Sequence, residues 1–251
     1  MLALLKRDFL LYFRNRSGVF FSLLGALISF LLYIIFLQKN LMDAWSQLPD
    51  NKSLLNNWLM GGTLAVTGIT TSFTALTQMV QDRENQVDHD LFLTDLGSWG
   101  LQLSYLISSL IISFVMQVFM LIVMSLYFQE IPAMNKLFEI SLIMLLSSLL
   151  STLVNVLLIY HFQSVDSLGK LATIVGTASG FLVGTYVPMG ILPNFAQVLM
   201  KCTPATYLAS IYRQVLMKEQ LETTFMGNSS LLEEFQEKLG IQLNWQNFLT
   251  K

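Results

Sequence analysis

The sequence is poor in charge, cysteine and histidine. Only 12% of its 251 residues are Asp, Glu, Lys or Arg, against about 25% in an average soluble domain. A single cysteine, Cys202, excludes an internal disulfide framework. The formal net charge of −2 leaves no basic surface that would indicate a nucleic-acid partner. His89 and His161 have no second His or Cys at metal-ligand spacing, so we expect no metal site.

Sequence motifs for catalysis and nucleotide binding are also missing. There is no Gly-x-Ser-x-Gly, no His-Glu-x-x-His and no Walker A pattern, and Ser167–Lys170 lacks the upstream glycine of a phosphate loop. No acidic, basic or histidine side chain lies in the middle of a long apolar run, where Gln117 and Asn155 are the most polar residues. Because buried charges mark most proton-coupled carriers, their absence argues against that class. We expect no catalytic residue and no cofactor in this chain.

What the sequence does contain is apolar residues, 54% of the total, gathered in five long runs. A helix needs about 20 mostly apolar residues to cross a bilayer. Four runs reach or nearly reach that length, and the fifth is shorter and rich in glycine. The sequence predicts an all-α polytopic membrane protein, a single helical bundle over residues 1–251, with spans at residues 19–37, 58–80, 101–128, 137–160 and 171–187.

The basic residues cluster before the first run. Lys6, Arg7, Arg14 and Arg16 predict a cytoplasmic N-terminus at the plasma membrane, and an odd number of spans then places residues 213–251 outside. Residues 1–16 are amphipathic and lack a small-residue cleavage site, so we expect them to remain as an interfacial helix. That helix would serve as a basic anchor or as an elbow that also touches a cytoplasmic partner.

Two spans carry small or hydroxylated residues at helical spacing. In the second span five threonines share one face, where they would either pack helices together or line a translocation route: Thr63, Thr67, Thr70, Thr74 and Thr77. In the fifth span, Gly176, Gly180 and Gly184 form a doubled small-xxx-small pattern, which predicts close helix packing.

Two connecting segments are more structured than plain loops. Residues 82–96 alternate acidic and apolar side chains in a pattern that favours a short amphipathic helix on the cytoplasmic surface over a solvated acidic loop. Residues 188–212 contain Pro188, Pro193 and Pro204 between apolar stretches too short to span. We predict a re-entrant hairpin there, buried in protein or facing a water-filled cavity.

The order of these features resembles the membrane subunit of an ABC exporter of the type-2 permease family, over essentially the whole chain. The resemblance rests on a set of segments that are each weakly specific: Lys6-Arg7-Asp8 to Arg14-Asn15, then Asp82-Arg83-Glu84, then Gly184 with Pro188 and Leu192-Pro193, and finally Pro204-Ala-Thr-Tyr207 to Arg213.

The resemblance implies a dimer of permease subunits, identical or different, that pairs with two separate cytoplasmic ATPases and exports an amphipathic or lipid-like molecule, a peptide or a drug. ATP and Mg would bind to the partner, and membrane lipid would surround the dimer. The ATPase would receive a coupling segment: Asp82, Arg83, Glu84, Asp88, Leu91 and Phe92, with Thr94 and Trp99 also placed as in similar loops. The outer gate would contain Pro188, Pro193, Pro204 and Tyr207.

The chain departs from this family pattern in three places. Gln86 and Asp95 stand where the coupling loop usually has glycine and proline, and residues 213–251 are polar where a sixth span is usual. Ser230 to Glu233 form a capping-box pattern that predicts a helix there. Two alternatives remain from the residues alone: a lipid-modifying enzyme using Asp88, His89 and Asp90, and a non-catalytic immunity or sensor component.

Overall fold

The computed structural model describes residues 1–93, 97–130, 132–225 and 229–243. Its eleven α-helices over these residues are α1 (Leu2–Arg14), α2 (Arg16–Leu32), α3 (Gln38–Ala44), α4 (Asn51–Glu84), α5 (Val87–Phe92), α6 (Gly97–Phe128), α7 (Met134–Ile159), α8 (Val165–Leu182), α9 (Asn194–Lys201), α10 (Pro204–Thr224) and α11 (Ser229–Lys238). A π-helical turn at Tyr33–Leu37 joins α2 to α3, and a 3₁₀ turn at Met189–Ile191 precedes α9.

The predicted fold class is confirmed. The part of the chain that the structure describes contains helices and no strand. Four helical stretches in it are long and apolar enough to cross a membrane: Arg16–Ala44, Asn51–Glu84, Gly97–Phe128 and Lys136–Ile159. Helix α8, where the fifth span was predicted at residues 171–187, is not among these four. It begins earlier, at Val165, and so includes Asp166 and Lys170, which lower its mean hydropathy.

Helix α4 differs from the other three candidate spans in what surrounds it. Its most apolar window has a mean hydropathy of 1.3 and is 89% buried in protein, whereas the other three windows have values of 2.4 to 2.6 and are 39% to 44% buried. A helix that contacts protein on all sides does not need a lipid-compatible surface. The composition of α4 is therefore that of a central helix, and the other three expose apolar side chains to lipid.

The chain divides into two compact units. The first contains Met1–Gly25, Thr67–Phe119 and Met144–Ala178, and the second contains Ala26–Val66, Met120–Ile143 and Ser179–Lys251.

In the first unit, small polar side chains join α4, α6 and α7. Ser113 donates a hydrogen bond to the Gly68 carbonyl (3.0 Å), and the Gln117 amide donates to Ser148 (2.8 Å). The Asn155 amide donates to the Ile69 carbonyl and to the Ser72 hydroxyl, at 2.8 Å each. Since a bilayer offers these groups no water, such contacts hold helices together in lipid. Gln117 and Asn155, the most polar residues of the predicted spans, thus serve packing.

The second unit has an aromatic core. Trp58 and Tyr33 are fully buried there, and Trp45 stacks edge-on against Phe235 of α11 with ring centroids 4.9 Å apart. Residues of α3, α4, α10 and α11 all contribute to this core. Helix α11 covers the segment where the capping-box pattern predicted a helix, although it begins at Ser229 rather than after Ser230. The described residues beyond 213 are thus packed into the second unit.

The three glycines of the predicted packing motif have different surroundings. A Cβ added at Gly180 would lie 2.1 Å from the ring of Tyr186, which the glycine allows to fold back over α8. Gly184 has φ +70, a left-handed conformation that favours glycine, just after α8 ends. A Cβ at Gly176 would meet nothing within 4 Å. In this chain, Gly180 allows close packing with Tyr186, and Gly184 allows the backbone to turn after α8.

We expect Gly180→Ala to lower the free energy of unfolding by about 1–3 kcal/mol, because the new methyl group displaces the buried Tyr186 ring. Gly176→Ala is the matched control, since it adds the same methyl group to the same helix in open space. Thermal unfolding in detergent measures both. Equal stability of the two variants would contradict the close contact between Gly180 and Tyr186.

Candidate coupling and gating sites

Asp82, near the C-terminal end of α4, is the centre of a buried polar network in the first unit. The two guanidinium nitrogens of Arg7 donate to its two carboxylate oxygens at 2.7 Å each. Gln78 donates to it at 2.7 Å and the Tyr105 hydroxyl at 2.5 Å. Asp82 is only 2% exposed. The predicted coupling residue therefore fastens α1 to α4 and α6, and it does not lie on the surface.

Asp8, on the buried face of α1, accepts hydrogen bonds from Arg7 (3.1 Å) and Ser108 (3.2 Å). It borders a cavity of about 110 Å³ that Tyr12 and Gln78 also line. Burial raises the pKa of the Asp8 carboxyl to about 6, although Arg7 and the hydrogen bond from Ser108 act in the opposite direction. This carboxyl therefore changes its charge close to physiological pH.

Arg83 and Glu84 tie the last turn of α4 to the segment between α7 and α8. Arg83 donates to the carbonyls of Tyr160 (3.2 Å) and Phe162 (3.1 Å). The Glu84 carboxylate accepts the backbone N–H of Val165 (2.9 Å), in the first turn of α8. A carboxylate is favourable at that position because the first turn of a helix has unpaired N–H groups and a partial positive charge. Like Asp82, these two residues make contacts inside the unit.

The predicted coupling helix, residues 82–96, is shorter in the structure. Asp82, Arg83 and Glu84 belong to α4, and α5 covers only Val87–Phe92. Thr94 and Leu96 lie outside the described residues. The two helices meet at Gln86, which has φ +59 in the left-handed region. The resemblance to the permease family leads to an expected glycine at this position, and a positive φ is a conformation that favours glycine.

Helix α5 presents two kinds of side chain. Leu91 packs against the core of the first unit, and Asp88 is partly buried. Phe92 is 41% exposed and Leu93, the next residue, is 87% exposed; Trp99 at the start of α6 is 79% exposed. We call Phe92, Leu93 and Trp99 the apolar knob. Sequence reasoning missed Leu93, because period and charge alone do not tell which apolar side chains of a short helix face inward.

The threonine face of α4 is largely buried. Thr63 and Thr67 have no exposed surface, and Thr74 and Thr77 have some. The hydroxyls of Thr74 and Thr77 donate to carbonyls of their own helix four residues earlier, Thr70 and Phe73, at 2.9 and 3.3 Å. Threonines that bond to their own helix can face apolar neighbours. This geometry supports packing, and a route along this face stays a prediction.

The predicted outer-gate prolines all lie at starts of helical turns in the second unit. Pro188 precedes the 3₁₀ turn, Pro193 precedes α9, and Pro204 is the first residue of α10, where its missing N–H costs nothing. The Tyr207 hydroxyl donates to the carbonyl of Lys201 (2.9 Å), closing the corner between α9 and α10. Residues 188–212 are thus two helices with a tight corner, and the second helix continues to Thr224.

Comparison with known families decides what these elements belong to. Residues 1–217 match the ABC-2 type transporter family. The chain is a member of this family. No curated protein and no solved structure matches it. The ABC-2 protein is thus a multi-pass membrane permease of an ABC transporter. Family membership favours this function over the embedded enzyme and the immunity or sensor component.

The location of Arg213 in this ABC-2 permease was predicted poorly from the sequence. It was expected at the start of a polar external segment, yet it lies in the middle of α10 and is 1% exposed. It is one of the largest fully buried side chains of the described chain. The available signal was its position at the end of the Pro204-to-Arg213 segment, one of the segments on which the resemblance rests.

The buried carboxyl of Asp8 predicts a pH dependence. Its pKa is raised in the folded permease, so the folded state holds a proton between about pH 4 and pH 6 that the unfolded state loses. The contribution of the Asp8 carboxyl to the free energy of unfolding is greatest at low pH and falls as pH rises through about 6. We expect Asp8→Asn to remove this fall and to stabilise the permease by about 2–3 kcal/mol at pH 7.5. Unfolding of both proteins from pH 4 to 8 measures it, and parallel curves would contradict the raised pKa.

The left-handed conformation of Gln86 predicts opposite effects of two substitutions. Gln86→Gly removes the steric cost and leaves stability unchanged or higher by up to about 1 kcal/mol. Gln86→Val places a β-branched residue at positive φ and lowers stability by about 1–2 kcal/mol. Chemical unfolding of both variants in detergent provides the comparison. A stable Gln86→Val variant would mean that the chain does not bend this way between α4 and α5.

Proposed function

We propose that this permease is the membrane subunit of an ATP-driven exporter and that it couples, through α5, to a separate cytoplasmic ATP-binding subunit. The observation that carries the proposal is the exposure of the apolar knob: Phe92 and Leu93 at the end of α5, which also carries the exposed Asp90, and Trp99 at the start of α6. Large exposed apolar side chains accompanied by charged residues are typical of a protein docking surface. A short helix of this kind suits a groove on a partner.

The contacts around α5 support a role in force transmission. Helix α5 follows α4 directly, and the last turn of α4 is fastened to α1 through Asp82 and to the start of α8 through Glu84. Arg83 adds two hydrogen bonds to the residues that precede α8. A displacement applied to α5 is therefore passed to several helices of the first unit at once. Coupling of ATP hydrolysis to helix movement needs such a connection.

The energy source is external to the permease. The sequence has no Walker A motif and no other phosphate-binding pattern. ATP and Mg would bind to the partner subunit, and the permease would contribute the route. Two permease copies, identical or different, would enclose that route, with their exposed apolar faces on α2, α6 and α7 in contact with lipid or with each other.

The cargo class follows from the polarity of the spans. Their middles contain serine, threonine, glutamine and asparagine, and no charged residue. A route without fixed charges favours an amphipathic or lipid-like molecule, and peptides and drugs of that character also fit. We propose that export proceeds from a cytoplasmic side, where the N-terminus lies, to the outside of the plasma membrane, in line with the Lys and Arg that precede the first span.

The permease purified from its native membrane in mild detergent tests this function. Mass spectrometry of the eluate should identify an ATP-binding subunit, and the eluate should hydrolyse ATP. We expect Phe92→Ala with Leu93→Ala to reduce the co-purified subunit and the hydrolysis at least tenfold, since exposed apolar anchors dominate most interfaces.

Met134→Ala is the matched control, because Met134, at the start of α7, is an apolar residue about as exposed as Leu93. It should leave co-purification unchanged. Recovery of the permease as a solitary chain, with no ATP hydrolysis, would contradict the proposed function. A partner that stays bound after the double substitution at 92 and 93 would contradict only the assignment of α5 as its docking element.

A further inference from the structure

Arg213 binds three separate segments of the second unit through main-chain carbonyls. Its Nε donates to the Trp58 carbonyl in α4 (3.3 Å). One terminal nitrogen donates to the carbonyls of Leu239–Gly240 (3.3 and 3.4 Å), and the other to those of Val183–Gly184 (3.2 Å each). The guanidinium also lies over the Trp58 ring, 4.7 Å from its centroid. One side chain thereby contacts five carbonyls and an aromatic face.

The charge of Arg213 is balanced without a carboxylate. Among the described residues, no Asp or Glu makes an ion pair with it. Its partners instead lie where α8 ends, at Val183–Gly184, and where α11 ends, at Leu239–Gly240. The C-terminus of a helix carries a partial negative charge, so two such ends supply the counter-charge. Burial lowers the pKa of Arg213 to about 9, which still leaves the group charged at neutral pH.

Two glycines next to Arg213 leave room for its side chain. A Cβ at Gly62 would lie 2.7 Å from a terminal nitrogen of Arg213, and a Cβ at Gly61 would lie 2.9 Å from its backbone nitrogen. Trp58 itself donates through its indole N–H to the Leu239 carbonyl (2.7 Å). Ser210, one turn before Arg213 in α10, donates to the Ile241 carbonyl (2.6 Å). Each of these contacts joins the same segments that Arg213 joins.

One of the three segments lies beyond the part of the chain that matches the ABC-2 family, which ends at residue 217. Leu239–Ile241 follows α11, and α11 contacts the 3₁₀ turn at Met189–Ile191, where the backbone of Lys238 lies so close to Gly190 that a Cβ there would be 2.6 Å from it. Described residues beyond the matched family domain are therefore packed against the 3₁₀ turn of the proposed outer gate, and Arg213 binds the segment that follows α11.

We infer that Arg213 is a positioning residue that fastens the outer end of α4, the turn at Val183–Gly184 and the segment Leu239–Ile241 into one body that moves as a unit during transport. This inference rests on the proposed function for its transport readout. Separating any of these segments would leave a buried cation without its carbonyl partners, which is far more costly than keeping the group together. The gate would then open by displacement of the whole body.

A disulfide between the segment Leu239–Ile241 and the 3₁₀ turn of the proposed gate, which α11 contacts, tests the inference. A Cβ at Gly240 would lie 3.3 Å from the Cβ of Met189, close to the usual separation in a disulfide. We expect the Met189→Cys, Gly240→Cys pair, in a Cys202→Ser background, to transport equally well oxidised and reduced, within about twofold. Oxidation that abolishes transport, reversed by reduction, would show that the gate must leave the segment, and would overturn the inference. The single Gly240→Cys variant controls for the left-handed φ of +63.

Substitution of Arg213 tests the fastening without any transport assay. We expect Arg213→Gln to lower the unfolding temperature by roughly 10 °C. We also expect faster hydrogen exchange in all three segments together. Arg213→Lys retains the charge but not the geometry, and should give an intermediate effect. The control is Arg14→Gln, an exposed arginine in α1. Faster exchange in only one segment would overturn the inference.

The two readouts separate this inference from the proposed function. If the parent permease with its ATPase shows no ATP-dependent transport, the proposed function fails, whereas hydrogen exchange in the Arg213 variants still decides whether the segments form one body. If hydrogen exchange in Arg213→Gln is unchanged in the three segments, Arg213 does not act by joining them.

Discussion

The absence of water inside a bilayer is the constraint on which the rest of this structure depends. Every backbone polar group at membrane depth must be satisfied by protein, and α4 shows how polar side chains are accommodated there as well. It is the most polar of the four candidate spans and the most buried, and its threonines bond to their own helix while Ser113 and Asn155 reach its carbonyls. The other three candidate spans are more apolar and less buried than α4, so their exposed side chains suit contact with lipid.

Two arginines, Arg7 partly buried and Arg213 fully buried, show two ways of holding a cation within such a protein. Arg7 is paired with the carboxylate of Asp82, which joins α1 to the helix that precedes the coupling element. Arg213 has no carboxylate partner among the described residues and lies between the ends of two helices. The first arrangement connects elements near the proposed ATPase docking site, and the second connects elements near the proposed outer gate. In both, removing one partner would leave a charged group without its hydrogen bonds, which is costly where the group is buried.

The sequence was sufficient to predict the fold class, because the length of an apolar run alone indicates whether a helix can cross a membrane. It also predicted helical structure near residues 1–16 and 230–233, where amphipathic periodicity and capping signals are local. The sequence did not show which side chains of the short helices and helix ends face the protein interior. Asp82, Arg83 and Glu84 have the composition of a surface motif, but each contacts another element of the chain. Leu93 and Arg213 were missed because exposure and burial at single positions depend on contacts distant in the sequence.

The central claim is that an ATP-binding subunit works on this permease through α5. The most direct measurement is site-specific photo-cross-linking in native membranes, with a benzoylphenylalanine at position 93 and, as the comparison, one at position 134. If the subunit docks on α5, the probe at position 93 should capture a single protein that carries a Walker A motif, and the probe at position 134 should not. Capture of only lipid at position 93, in membranes where the permease is active, would contradict it.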